Sequence, residues 1–215
     1  MDSHLPCRQA GFRGNDNMKF NDKLARVIST IFVPPSFTII VFTLFAFILE
    51  TESIKITITI LVAFIFGFTA QIILFLFFRK KGKIIDLDAS VKEERTTPFF
   101  ISVGFYLVGL ILLIIFKVNI ISIAFWFCYI SNTLVTIFIN KYWKISAHAM
   151  GASGHLAAVI YAFGPVSLIF LLLVLFIGWS RIQLKVHNFT QVAAGILFAF
   201  FSTYLQIYLI VKWFN

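Results

Sequence analysis

The strongest constraint on how this 215-residue chain can fold is a succession of long apolar runs, at roughly 28–49, 56–78, 98–116, 119–139, 146–162, 165–179 and 189–213. Runs of this kind match the thickness of a bilayer's hydrocarbon core, where each backbone N–H and C=O has to be satisfied inside its own segment. With 60% hydrophobic and 13% charged residues and a mean hydropathy of +0.96, the chain is far too apolar for an ordinary water-soluble domain. The expected fold is all-α, a polytopic transmembrane helical bundle of six to seven spans, with a polar extension over 1–23 and one membrane domain over 24–215. The stretch 146–179 is too long for one crossing, so Gly164-Pro165 is expected to turn a tight hairpin. Pro34-Pro35 should kink or interrupt the first span. Cys7 and Cys128 are the only cysteines and imply neither a disulfide framework nor a cysteine metal site.

Charge orients the bundle. If all seven runs cross, the N-terminus and the loops 79–97, 140–145 and 180–188 share one face. These carry five, six, two and two of the 18 Lys and Arg residues, leaving only Lys55, Lys117 and Lys212 for the other face. The positive-inside bias then places the loop-bearing face in the cytoplasm of a multi-pass protein of the cell membrane. Nucleic acid is excluded as a partner because no soluble domain is left to present a binding surface.

The acids narrow the chemistry. All nine lie at or before Glu94, whereas His148, His155 and His187 fall in the acid-free remainder. Hard divalent cations need oxygen ligands, and the three histidines lack the spacing of a zinc site. No metal or other cofactor is expected. What remains is chemistry by histidine and cations, of which phosphoryl transfer through a phosphohistidine is the simplest form.

Ser180-Arg181, followed by His187, Gln191 and Gly195, resembles the SRxxxxxHxxxD motif of the type 2 phosphatidic acid phosphatase superfamily of membrane lipid phosphatases, with Gln191 in place of the final Asp. Two segments match that superfamily's PSGH motif in part, Ser146-Ala147-His148 and Ser153-Gly154-His155. Position at the aqueous boundary and the 32 residues between His148 and Ser180 favour the first. His155 lies two turns deeper on the same face, where the ordinary reading of a satisfied packing histidine is preferred, lining a polar throat. The KxxxxxxRP motif is matched least well, by Asp86 to Pro98. Arg95 stands for its Arg, Asp88 occupies the Lys position, and Lys92 or Lys83 is left to supply the cation.

The resemblance implies that His187 is the nucleophile, His148 the acid that protonates the leaving oxygen, and Arg181, Arg95, Lys92 and Ser146 the phosphate ligands. It further implies a membrane lipid phosphate as substrate, phosphatidic-acid-like or polyprenyl. An acceptor carboxylate at 191 would hold the imidazole in one tautomer. Gln191 can accept the same hydrogen bond without charge, so one of Asp86, Asp88 and Glu94 is expected to approach His187. Two other outcomes fit the same residues: a non-catalytic lipid-binding relative, and a phosphotransferase to an acceptor other than water.

Overall fold

A computed structural model describes residues 20–89 and 91–214, so most of the polar extension lies outside the described residues. The described chain is a bundle of helices: α1 (Phe20–Ile31), α2 (Pro34–Leu49), α3 (Ser53–Val62), α4 (Ala70–Lys80), α5 (Thr96–Ile115), α6 (Ile120–Tyr142), α7 (Ala147–Phe163), α8 (Leu171–Gln183) and α9 (Phe189–Phe214). A π-helical stretch, Ala63–Thr69, fuses α3 and α4 into one rod, and 3₁₀ turns at Glu93–Arg95 and Pro165–Phe170 lead into α5 and α8.

Five segments are long and apolar enough to cross a membrane, the α3–α4 rod, α5, α6, α8 with its 3₁₀ turn, and α9; the bent pair α1–α2 makes a sixth when counted as one broken span. The 52° bend in that pair falls at Pro34-Pro35, where the imino ring removes a backbone donor and fixes φ. At 17 residues, α7 is about 25 Å long. The loops 81–92, 143–146 and 184–188 meet at one end, where Lys92 Nζ donates to the Lys141 carbonyl in the last turn of α6 (3.0 Å) and Lys144 Nζ to the Val186 carbonyl (2.6 Å). At the opposite end the Asn119 amide donates to Glu50 Oε1 (2.6 Å), joining the turns after α2 and α5.

The most apolar span is the least buried, and the helix richest in small residues lies innermost. α7 carries Ala149, Ala152, Ser153, Gly154, Ala157 and Ala158, all buried, and packs chiefly against α9 and α8, with α2 on another side. Small side chains let helix backbones approach closely when lipid supplies no hydrophobic drive for association. The Leu/Ile/Phe-rich helices take the lipid-facing positions instead, with Phe47, Ile73, Ile115, Leu172 and Phe201 exposed. Below the loop end, Trp126 is fully buried among Phe42, Phe125 and Tyr106. Its indole lies where a Cβ on Gly109 would stand, 2.5 Å away.

Candidate functional site

α8 ends where Lys185 adopts a left-handed backbone (φ 56°). The amides of Val186 and His187 then both turn back to the Arg181 carbonyl (3.3 Å each). The spacing between Arg181 and His187 is thus the geometry of a helix C-terminus, one chain reversal that sets a cation and an imidazole side by side. α9 starts at once with a capping box. Asn188 Oδ1 accepts from the Gln191 amide (2.9 Å), and Gln191 Oε1 accepts from the Asn188 amide (3.3 Å).

That box decides the chemistry of His187. A backbone N–H can only donate, so the Gln191 atom facing Asn188 is its oxygen. The same oxygen lies 3.0 Å from His187 Nδ1. Nδ1 therefore carries the proton and Nε2 the lone pair. Burial lowers the imidazole to about 3, and the nearby Arg95, Lys144 and Arg181 push in the same direction. At neutral pH His187 is an uncharged ring with an available Nε2.

His187 lines a cavity of about 330 Å³ that runs from the loop end into the bundle. Asp88, Arg95 and His148 share its polar end, while Phe75, Phe99, Tyr106 and Phe125 line its depth. Among the described residues the His148 side chain has no hydrogen-bond partner. Arg95 is buried, its Nε donating to the Ala89 carbonyl (2.6 Å) and Nη1 to that of Ile145 (3.1 Å), so it knots two loops at the cavity rim.

Arg181 is fully buried, is not itself on the cavity wall, and bonds Asp88, which is. Its Nη1 donates to Asp88 Oδ1 (2.7 Å) and to Ser29 Oγ, whereas Nε and Nη2 are buried without a partner among the described residues. Burial alone would raise the Asp88 carboxyl, but Arg181 and Arg26 outweigh it and hold the group below its usual range. The Lys144 ammonium moves down through burial first, then through Arg95 and Arg181.

Several expected residues stand elsewhere. Lys92 points away from the cavity, to the Lys141 carbonyl and to Glu93 (3.7 Å), and Lys83 lies over the Phe78 ring. Ser146 is buried as the N-cap of α7, accepting from the Ala149 amide (3.4 Å). Ser153 Oγ donates to the Ile196 carbonyl (2.7 Å), pinning α7 to α9. His155 faces the cavity with both nitrogens engaged, Nδ1 on the Gly151 carbonyl and Nε2 on the Tyr129 hydroxyl, each at 2.6 Å. A carbonyl only accepts, so Nδ1 holds the proton and Tyr129 donates to Nε2, the arrangement of a satisfied core histidine.

The expectation that a loop carboxylate approaches His187 is corrected. Asp88 is held by Arg26 and Arg181, Glu94 accepts from the Ile85 amide (3.2 Å), Asp86 accepts from the Asp88 amide (2.8 Å), and the His187 position is taken by Gln191. Asp88 is drawn to two guanidinium groups because charge pairing outweighs a hydrogen bond to a neutral imidazole. Neither Arg26 nor Ser29 was a candidate for the site from the sequence, where Arg26 entered only through the count of charges. They sit in the amphipathic α1, and the only hint was a polar stripe preceding Pro34-Pro35.

Among the described residues no three His, Cys, Asp or Glu side chains converge to hold a metal ion. Comparison with known protein families, curated proteins and solved structures finds no match to this chain.

Proposed function

We propose that this protein is a membrane lipid phosphatase of the type its motifs resemble, cleaving a phosphate monoester or diphosphate of a lipid through a phosphohistidine at His187. The observation that carries this reading is the His187 tautomer: Nδ1–H held by Gln191, with Nε2 left to a cavity that also presents His148 and Arg95. A nucleophile needs a free lone pair and a fixed direction, and both are supplied here by the first turn of α9.

In the proposed reaction Arg95 on the cavity wall, with the charges of Arg181 and Lys144 off that wall, neutralises the phosphoryl oxygens. His187 Nε2 forms a bond to phosphorus as the phosphorus–oxygen bond to the lipid-bearing group breaks, and His148, charged by a proton taken up from water together with the substrate's negative charge, gives that proton to the departing alkoxide or lipid phosphate. Water then attacks the phosphohistidine with His148 as base, releasing inorganic phosphate and restoring Nε2. The apolar depth of the cavity suits a hydrocarbon tail. The excess of Lys and Arg on the loop end supports placing the site at the cytoplasmic leaflet. A second reading, lipid binding without turnover, is favoured by the uncharged Gln191, which cannot stabilise an imidazolium as a carboxylate does.

One assay separates these readings: phosphate release from a panel of lipid phosphates by purified protein in detergent, with chelator present. Turnover abolished by His187→Ala supports the phosphatase, and turnover indifferent to that change removes the mechanism. Labelled acceptor without free phosphate would indicate a transferase. For sidedness, a cysteine at Asn188 should react with impermeant reagent only after the cells are opened.

A further inference from the structure

α1 sits on α8 through its small face, Ala25 and Ser29, both buried. Its opposite stripe of Phe20, Leu24, Val27 and Ile31 is exposed. Three polar contacts tie this helix to the site. Asp22 Oδ1 accepts from Gln183 Nε2 (2.8 Å), Arg26 Nη1 donates to Asp88 Oδ2 (2.8 Å), and Ser29 Oγ accepts from Arg181 Nη1. Arg181, Asp88, Arg26 and Ser29 thus form one closed set spanning α1, α8 and the loop between α4 and α5.

We propose that Ser29, Arg26 and Asp88 are positioning residues that clamp Arg181 by one nitrogen, so that its Nε/Nη2 edge is held ready for an oxyanion. The proposal rests on the phosphatase reading and extends it to α1. The two clamped contacts both fall on Nη1, while the adjacent Nε and Nη2 are buried without a partner among the described residues. Those two N–H groups form the fork that grips two oxygens of one phosphate. Arg181 is bonded to Asp88, which lines the cavity together with His148 and His187, so an anion that enters from the cavity and takes that fork sits on the side of both imidazoles. An unpaired guanidinium edge is costly in a buried setting; the clamp keeps it from folding back onto Asp88 with both its terminal nitrogens. Arg26 completes the arrangement by taking the second Asp88 oxygen, which leaves the carboxylate only one for Arg181.

The test is binding of orthovanadate and inorganic phosphate to the purified full-length protein in detergent, by calorimetry, with thermal unfolding of each variant as a control on folding. Ser29→Ala leaves every charge in place and should weaken anion binding about tenfold, the scale of one hydrogen bond to a charged group, with Ser29→Thr restoring it. Asp88→Asn gives the sharper result. A carboxylate acting only through its charge repels an anion, so its removal would tighten binding; a positioning role makes Asp88→Asn weaken binding despite the added net positive charge. Unchanged or tighter binding in both variants, with wild-type binding intact, overturns the clamp and spares the phosphatase reading. Absence of anion binding in the wild type removes the reading on which the clamp rests. A fall in thermal stability without a change in affinity assigns these residues to structure alone and likewise overturns the proposal.

Discussion

Replacing Gln191 tests the chain of reasoning at its narrowest point, because one side-chain oxygen both closes the helix cap and sets the His187 tautomer. Gln191→Leu leaves the Nδ1–H of a buried imidazole and the Asn188 amide without that acceptor. An orphaned buried donor costs about 1–3 kcal/mol and a lost cap about 1 kcal/mol, so the start of α9 should loosen measurably. For the chemistry, a hydrogen bond worth roughly 1.4 kcal/mol is a tenfold bias between tautomers. Loss of the bond should therefore lower kcat about tenfold, and by up to about a hundredfold when lost orientation is added. Gln191→Glu keeps the acceptor and adds charge. It should retain activity and raise the His187 imidazole from its depressed position, since an opposite charge in contact raises a histidine by about 1–3 pH units. The assay is the pH profile of kcat/KM for phosphate release, whose acid limb should move to higher pH in Gln191→Glu. Two results would refute the reasoning: kcat unchanged in a folded Gln191→Leu protein, or Gln191→Glu as impaired as Gln191→Leu.

Three further outcomes are expected. His187 binds a proton less readily folded than unfolded, so the stability it contributes is complete above about pH 6.5 and is lost as pH falls toward about 3; thermal melts across this range should flatten in His187→Gln, while the loss from Asp88 is confined to still more acid solution, below its unfolded value of about 3.9. Tyr129→Phe removes the donor to His155 Nε2 (2.6 Å) and a contact with Thr38 (3.0 Å); it should cost about 1–3 kcal/mol of stability and leave kcat within about twofold, which would confirm His155 as packing, whereas a loss comparable to that of His148→Ala would make it part of the chemistry. Gly109→Val should fail to assemble, because a Cβ there lies 2.5 Å from the Trp126 indole and the ring, fully buried, has nowhere to move; normal yield of a monodisperse protein from membranes would contradict this.

The helical, polytopic character of the chain was readable from its apolar runs, because backbone groups in hydrocarbon leave the chain few alternatives. The prolines at 34 and 35 and the Gly164-Pro165 turn announced their breaks for equally local reasons. The grouping of the 79–97, 140–145 and 180–188 loops at one end followed from the count of crossings, and the bonds between them agree. Even the Arg181 to His187 spacing is a local matter, since it is the turn that closes α8.

What the sequence by itself determined, then, is what depends on neighbours along the chain: segment lengths, breaks, caps and the parity of the loops. Only the tertiary structure decided which charges meet. Lys92 and Arg95 are three residues apart, yet one lies on the surface against Lys141 and the other lines the cavity. Asp88 was a candidate for His187 until α1, 62 residues upstream at Arg26, arrived beside it. The reason is physical. A helix presents its polar groups to whatever packs against it, and in a bundle that partner is chosen by the shape and small residues of distant segments, which no local pattern records.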